Sequence, residues 1–140
     1  MPDLKQRILD IIHRPQLAAL ATVTEKNNPW VRYVVTVGDG DLVIRCATFG
    51  DSRKTQQIEN NENVHLTCGV TSLQEMQPYL QIQGLARVTT DKVERHAFWN
   101  DMLAPVFDGP DDPNYAVIVI EPYRIEYCTQ GSYEPEVWTR

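Results

Sequence analysis

The chain has 140 residues, 42% of them hydrophobic and 23% charged, enough apolar material for one core and an ordinary globular balance. Thirteen Lys and Arg against nineteen Asp and Glu leave a net charge of −6, so nucleic acid and anionic membrane, which both call for a basic surface, are not expected partners. No run approaches the ~20 apolar residues of a membrane span.

The opening Met1-Pro2-Asp3-Leu4-Lys5 lacks the apolar stretch of a secretion signal. Cys46, Cys68 and Cys128 form no CxxC pair and sit in apolar runs, so they read as reduced, buried thiols and the chain as cytoplasmic. Asp3 and Gln6 have the spacing of a capping box, and Leu4, Ile8, Leu9, Ile11 and Ile12 make a helical stripe that Pro15 stops. Leu17 to Thr24 is too apolar for a surface helix and is predicted as a buried strand. Lys26-Asn27-Asn28-Pro29 then turns the chain into Trp30 to Val37, rich in β-branched and aromatic residues. A hairpin turn at Gly38-Asp39-Gly40-Asp41 returns it through Leu42 to Thr48.

Asp51 is predicted to cap a helix of roughly ten residues that ends in the Asn60 to Asn63 stretch. Val64 to Val70 and Tyr79 to Thr89 are the next strands, with Gly84 marking a bulge or a close backbone approach. Asp91 with Glu94 caps a further helix carrying Val93, Ala97, Phe98 and Met102. The Pro- and Gly-rich loop from Pro105 to Pro113 is long enough to be functional. Tyr115 to Ile120 and Tyr123 to Thr129 complete the set. The pattern predicts one domain over residues 1–140, mainly β with an α+β character. Its form is a six- to seven-stranded antiparallel barrel with two or three short helices.

The segment Ala47-Thr48-Phe49-Gly50-Asp51-Ser52-Arg53-Lys54 concentrates the candidate chemistry. A strand ends, a glycine permits a tight turn, and a helix opens with two cations. Cations at a helix N-terminus oppose the macrodipole, so a first turn ordinarily carries acids. A bound phosphate reverses that penalty, because the helix N–H groups, the Arg53 fork and the Lys54 charge then meet one anion. Spacing alone slightly favours the plainer alternative of two solvated surface cations. A P-loop is ruled out, since Thr48 and Arg53 stand where its glycines belong. Arg32 is the one charge in Trp30 to Val37, and the hairpin is expected to pair it near Ala47 and Thr48. An outward-facing arginine is the plainer alternative there.

Arg32-Tyr33-Val34-Val35, Thr48-x-x-x-Ser52-Arg53-Lys54, Gln57-Ile58, Gln83-Gly84-x-Ala86 and Glu121-Pro122-x-x-Ile125-Glu126-Tyr127 occur in that order. Together they resemble the pyridoxamine 5′-phosphate oxidase superfamily of FMN-binding split barrels, over nearly the whole chain. The short N-terminal helix and compact length look most like the general stress protein branch. The resemblance implies a homodimer with FMN at its interface. It assigns the cofactor phosphate to Arg53, Lys54 and Arg32, and the ribityl chain and ring to Tyr33, Val34, Ala47 and Thr48. Thr48 and Ser52 carry hydroxyls suited to such contacts.

The activity it implies is an FMN-dependent oxidoreduction of a small molecule, with a nicotinamide as one candidate donor. A flavin-binding stress or regulatory protein with little turnover is the alternative, and the same barrel holding haem or a deazaflavin is a third. Haem is the weakest, since no histidine lies near the Arg32 to Lys54 site in sequence. The chain departs from true pyridoxamine phosphate oxidases at three places. Cys128 replaces a flavin-contacting tryptophan, Tyr79 replaces a common glutamine, and Glu134-Pro135-Glu136 replaces an Arg-x-His segment that holds substrate phosphate. Vitamin B6 oxidation is therefore not expected. His13, His65 and His96 lack metal-ligand spacing and are expected on the surface or as caps. Trp30 and Trp99 are expected in core or interface, and Trp138 against a partner subunit.

Overall fold

The runs of alternating residues close into a barrel because each strand must cover one apolar face. A computed structural model describes residues 2–140, so Met1 of the opening stretch lies outside the described residues. Helix α1 (Leu4–Ile12) leads into strands β1 (Gln16–Val23), β2 (Pro29–Gly38) and β3 (Ile44–Phe49). Helix α2 (Arg53–Asn60) separates these from β4 (Asn63–Cys68) and β5 (Tyr79–Thr89). Helix α3 (Lys92–Phe98) and a 3-10 turn at Asp101–Leu103 precede β6 (Tyr115–Cys128) and β7 (Glu136–Thr139).

The strand order is β3-β2-β1-β4-β5-β6-β7, antiparallel throughout, and β3 also pairs with β6. Six strands thus make a closed antiparallel barrel and β7 is added beside it. One edge of β6 serves two partners: Tyr115 to Ile120 pairs with β3, and Arg124 to Tyr127 with β7. Inward residues of alternating strands, among them Ala18, Leu20, Leu66, Leu80 and Ile82, form the main core. Helix α1 closes one end with Ile8 and Ile12, and packs so tightly that a Cβ on Gly38 would lie 2.5 Å from Ile12 Cδ1. Outside the barrel, Tyr115, Val117 and Val119 form a second core with Phe107, Phe98, Trp99 and Leu103. Tyr115 to Ile120 is therefore buried on both faces, which is why it is apolar at every position.

Several local expectations change in the folded chain. Tyr115 to Ile120 and Tyr123 to Thr129 are one strand, running through Pro122 opposite Gly84 at a register shift between Gln83 and Gly84. Gly84 carries the bulge and also a close backbone approach, since a Cβ there would lie 3.2 Å from Glu121 O as well as 2.9 Å from Ile120 Cγ2. Strand β7 was not predicted. Ser52, not Asp51, caps α2 and accepts the Thr55 N–H, because Asp51 lies in the exposed turn before it. Leu42 sits in the hairpin turn at φ 64°, and Gly69 at φ 116° ends β4 before Val70. Helix α3 stops at Phe98, leaving Met102 in the 3-10 turn. Asp3 caps α1 as expected, but Gln6 reaches forward to Asp10 instead of closing a capping box.

Candidate anion and cofactor site

The site begins with a failure of pairing. Strand β2 matches β1 over eight residues and β3 matches β6 over six, but β2 and β3 meet only at Val37–Arg45 and Gly38–Ile44. The two strands leave their hairpin together and then part. Asp39 holds the turn by accepting from Asp41 N, Val43 N and Arg45, and Arg45 also binds Glu94 of α3 at 3.0 Å. The parting opens a cleft of about 300 Å³. Tyr33, Val34, Val35 and Val37 line one wall, and Ala47, Thr48 and Phe49 line the other. Phe98, Asn100, Met102, Leu103, Val106 and Phe107 roof it, and Lys54 stands at its end. The edge of β2 from Arg32 to Thr36 that faces the cleft has no ladder partner among the described residues, which leaves its peptide groups open to a ligand.

Positive charge gathers at one corner. Arg53 and Lys54 occupy the first turn of α2, where their backbone N–H groups have no acceptor among the described residues. Ser52 Oγ lies 3.1 Å from Thr48 Oγ1 and 2.8 Å from Thr55 Oγ1, so the cap ties the helix start to the end of β3. Arg53 stacks over the exposed Trp30 ring at 5.8 Å. Among the described residues, none of the ion pairs involves Arg32, Arg53 or Lys54. Burial, then the neighbouring Arg32, holds the Lys54 ammonium below the ordinary lysine value, although buried Cys46 pulls the other way. Burial and then Arg53 likewise lower Arg32. An unpaired positive corner in a chain of net charge −6 favours an anion. A helix N-terminus with free N–H groups strengthens that preference.

Each candidate residue has a definite place. Tyr33, Val34, Ala47, Thr48 and Lys54 line the cleft; Ser52 caps α2, and Arg53 lies beside it on the surface. Arg32 does not pair near Ala47 and Thr48: it stands opposite Leu20 of β1, because β2 has already parted from β3. It reaches the corner by another route, donating to Thr22 Oγ1 at 2.7 Å and to Gln57 Oε1 at 3.0 Å. Thr22 and Asn100 carried no signal in the sequence; Gln57 stood there within the Gln57-Ile58 pair of the family resemblance, with no role attached to it.

The residues flagged as departures lie elsewhere. Tyr79 and Cys128 are register partners of β5 and β6. Tyr79 borders a second hollow of about 740 Å³, which Tyr33 shares with the cleft. Glu136 binds Arg7 through two hydrogen bonds of 2.6 and 2.8 Å, and so fastens β7 to α1. Burial pushes the Cys46 thiol up to about 12 and Cys68 up to about 11, so neither is a thiolate at neutral pH. His13 caps α1 and His96 binds Asp111 at 2.7 Å. Trp138 packs against this chain's own core, and Trp99 meets Tyr115 edge-on at 5.6 Å.

The barrel, its split hairpin and the cationic corner define a split-barrel protein with an apolar cleft that ends in unpaired positive charge. Residues 4–129 match the family model of pyridoxamine 5′-phosphate oxidase, and the chain belongs to that family. General stress protein 26 of Bacillus subtilis (strain 168) is 34% identical over 133 residues, which cover 95% of this chain and 94% of that one. The crystal structure of General Stress Protein 26 from Bacillus anthracis str. Sterne matches with a TM-score of 0.83 at 31% identity, covering 98% of each chain. A pyridoxamine 5′-phosphate oxidase-related, FMN binding protein from Nostoc punctiforme shares the fold. Its TM-score is 0.67 at 16% identity, over 87% of this chain and 78% of its own. No helix among the described residues is long and apolar enough to cross a membrane.

Proposed function

We propose that the chain binds FMN in the β2–β3 cleft and works as a cytoplasmic, homodimeric flavoprotein acting on a small molecule, with a nicotinamide as a candidate donor. The observation that carries this is the unpaired corner of Arg32, Arg53 and Lys54 beside an apolar cleft with a free strand edge. A phosphate fits the corner, Tyr33, Val34, Ala47 and Thr48 flank the path away from it, and the unpaired peptide groups of β2 suit the heteroatoms of a flavin ring. When bound, the flavin supplies electron and hydride transfer. The protein's part is to bind it, orient it and exclude water.

Two further features support the reading. Leu17 is 66% exposed and Tyr33 78% exposed, on a sheet face that also presents Val31 and Val35. Such a contiguous apolar face suits a second copy packed over the open side of the cleft. By the resemblance, Glu134-Pro135-Glu136 replaces the segment that holds substrate phosphate in pyridoxamine phosphate oxidases, and Arg7 engages Glu136 as a structural partner, which argues against vitamin B6 as substrate. The test is a fluorescence titration of the purified chain with FMN and with riboflavin, which lacks the phosphate. FMN should bind at least roughly 100-fold more tightly, the gain expected of two charge-assisted bonds. Equal affinities refute the assignment of the corner.

A further inference from the structure

Arg32 is half-buried, yet every acceptor it meets is neutral. Its Nη1 donates to Thr22 Oγ1 at 2.7 Å, Trp30 O at 3.2 Å and Leu20 O at 3.3 Å, and its Nη2 donates to Gln57 Oε1 at 3.0 Å. Arg45, equally half-buried, has its charge taken up by Asp39 and Glu94, whereas Arg32 has no carboxylate partner among the described residues. Thr22 is 1% exposed and passes its own hydroxyl hydrogen to Gln57 Oε1, so the two side chains form one bonded unit. Thr22 comes from β1 and Gln57 from α2, so the unit joins the end of the barrel to the helix that carries Arg53 and Lys54.

Counting hydrogens shows what this unit does. A guanidinium has five N–H donors. The three acceptors on Nη1 use both of its hydrogens, and Gln57 takes one of those on Nη2. Nε–H and the second Nη2–H have no partner among the described residues. Because Thr22 and Gln57 are bonded to each other, they occupy the edge shared by Nη1 and Nη2. The two free donors then share the other edge, the side-on fork that matches two oxygens of a phosphate.

We infer that Gln57, with Thr22, is a positioning pair that turns the Arg32 fork toward the cofactor phosphate while leaving its charge uncompensated. The inference rests on the reading of this corner as the FMN phosphate site. A glutamate at position 57 would fill the same space and bind Arg32 equally well. It would also place a negative charge one helical turn from Arg53 and cancel one cation of the site. A purely structural glutamine would tolerate that change, since the new ion pair satisfies the same donors. A positioning glutamine would not.

The experiment titrates FMN and riboflavin into wild type, Gln57→Glu, Gln57→Met, Thr22→Val and Thr22→Ser, with a thermal melt of each apo protein. Gln57→Glu should weaken FMN by at least about tenfold, leave riboflavin unchanged and not lower the melting temperature. Gln57→Met and Thr22→Val should also weaken FMN selectively, whereas Thr22→Ser, which keeps the hydroxyl, should match wild type. Should Gln57→Glu fold poorly, Gln57→Met against Thr22→Ser makes the same comparison without adding charge. The inference is overturned when wild type prefers FMN over riboflavin but the position-57 and Thr22→Val variants keep that preference. A wild type with no preference overturns the phosphate-site reading itself, and this inference with it.

Discussion

Replacing Arg53 and Lys54 together with alanine strips two cations from the corner of the cleft and leaves both cores untouched, since neither residue belongs to them. Each charge-assisted bond to a phosphate contributes about 1.5–3 kcal/mol, so two give about 3–6 kcal/mol. Arg53 is exposed and its share is screened, while Lys54 is half-buried and its share is better preserved. The lower half of the range is therefore expected, a loss of roughly 10²–10³-fold in FMN affinity. Riboflavin should bind the double variant as it binds wild type.

The empty fold should scarcely notice the change. Relieving two cations at a helix N-terminus stabilises by about 0.3–1 kcal/mol each. Losing the Arg53 contact with the Trp30 ring opposes this by about 0.5–1 kcal/mol. The assay is a flavin fluorescence titration with both ligands, beside an apo melt followed by circular dichroism. The reasoning fails if the variant binds FMN as tightly as wild type does. It fails equally if riboflavin weakens in proportion, for the cations would then act through the fold or the ring and not the phosphate.

FMN affinity should follow a bell in pH while riboflavin affinity stays flat across the same range. Its rise accompanies the second ionisation of the phosphate near about pH 6. Its fall comes at alkaline pH, because Lys54 titrates below the ordinary lysine value when free and is raised by bound phosphate: affinity present below the free value is lost as pH climbs through it to the bound value. An FMN curve as flat as that of riboflavin counts against the site. Gly38→Ala should lower stability by about 1–3 kcal/mol in a denaturant melt, since its Cβ falls 2.5 Å from Ile12 Cδ1; an unchanged midpoint contradicts the close packing of α1. The hydrogen bond from Arg7 holds the Glu136 carboxyl below the usual carboxylate range, so its stabilisation is present above the unfolded value and lost as pH falls through the folded one. Glu136→Gln should therefore flatten the acid limb of the stability curve, and an unaltered limb removes that link between β7 and α1. Light scattering with FMN present should give a dimer at micromolar concentration, and a monomer mass refutes the packing proposed for the sheet face.

What depended on neighbours in the chain could be read from the chain. Strand β5 runs from Tyr79 to Thr89 as predicted, because strict alternation is a property of the segment alone. The caps at Asp3 and Asp91 are likewise local, as is the Ser-Arg-Lys turn with its cations set against the helix dipole. Gly84 announced the bulge because a glycine inside an otherwise β-rich run marks a place where the ladder is irregular.

Whatever depended on distant partners appeared only in the folded chain. Tyr115 to Ile120 and Tyr123 to Thr129 were expected as separate strands, yet Pro122 between them sits opposite the Gly84 bulge, where the ladder is already irregular and its missing N–H does no harm. The Glu136 segment became a strand only because β3 leaves half of one β6 edge open. Arg32 was placed beside Thr48 by hairpin arithmetic, which assumes that two adjacent strands stay paired. Here β3 satisfies its backbone on β6 instead, and Arg32 turns into the end of the barrel. Thr22 and Arg32 are diagonal neighbours of the β1–β2 hairpin, but the packing of α2 against β1, a non-local event, brings Gln57 to both of them. The cations were therefore visible in the sequence, but the bonds that aim one of them were not.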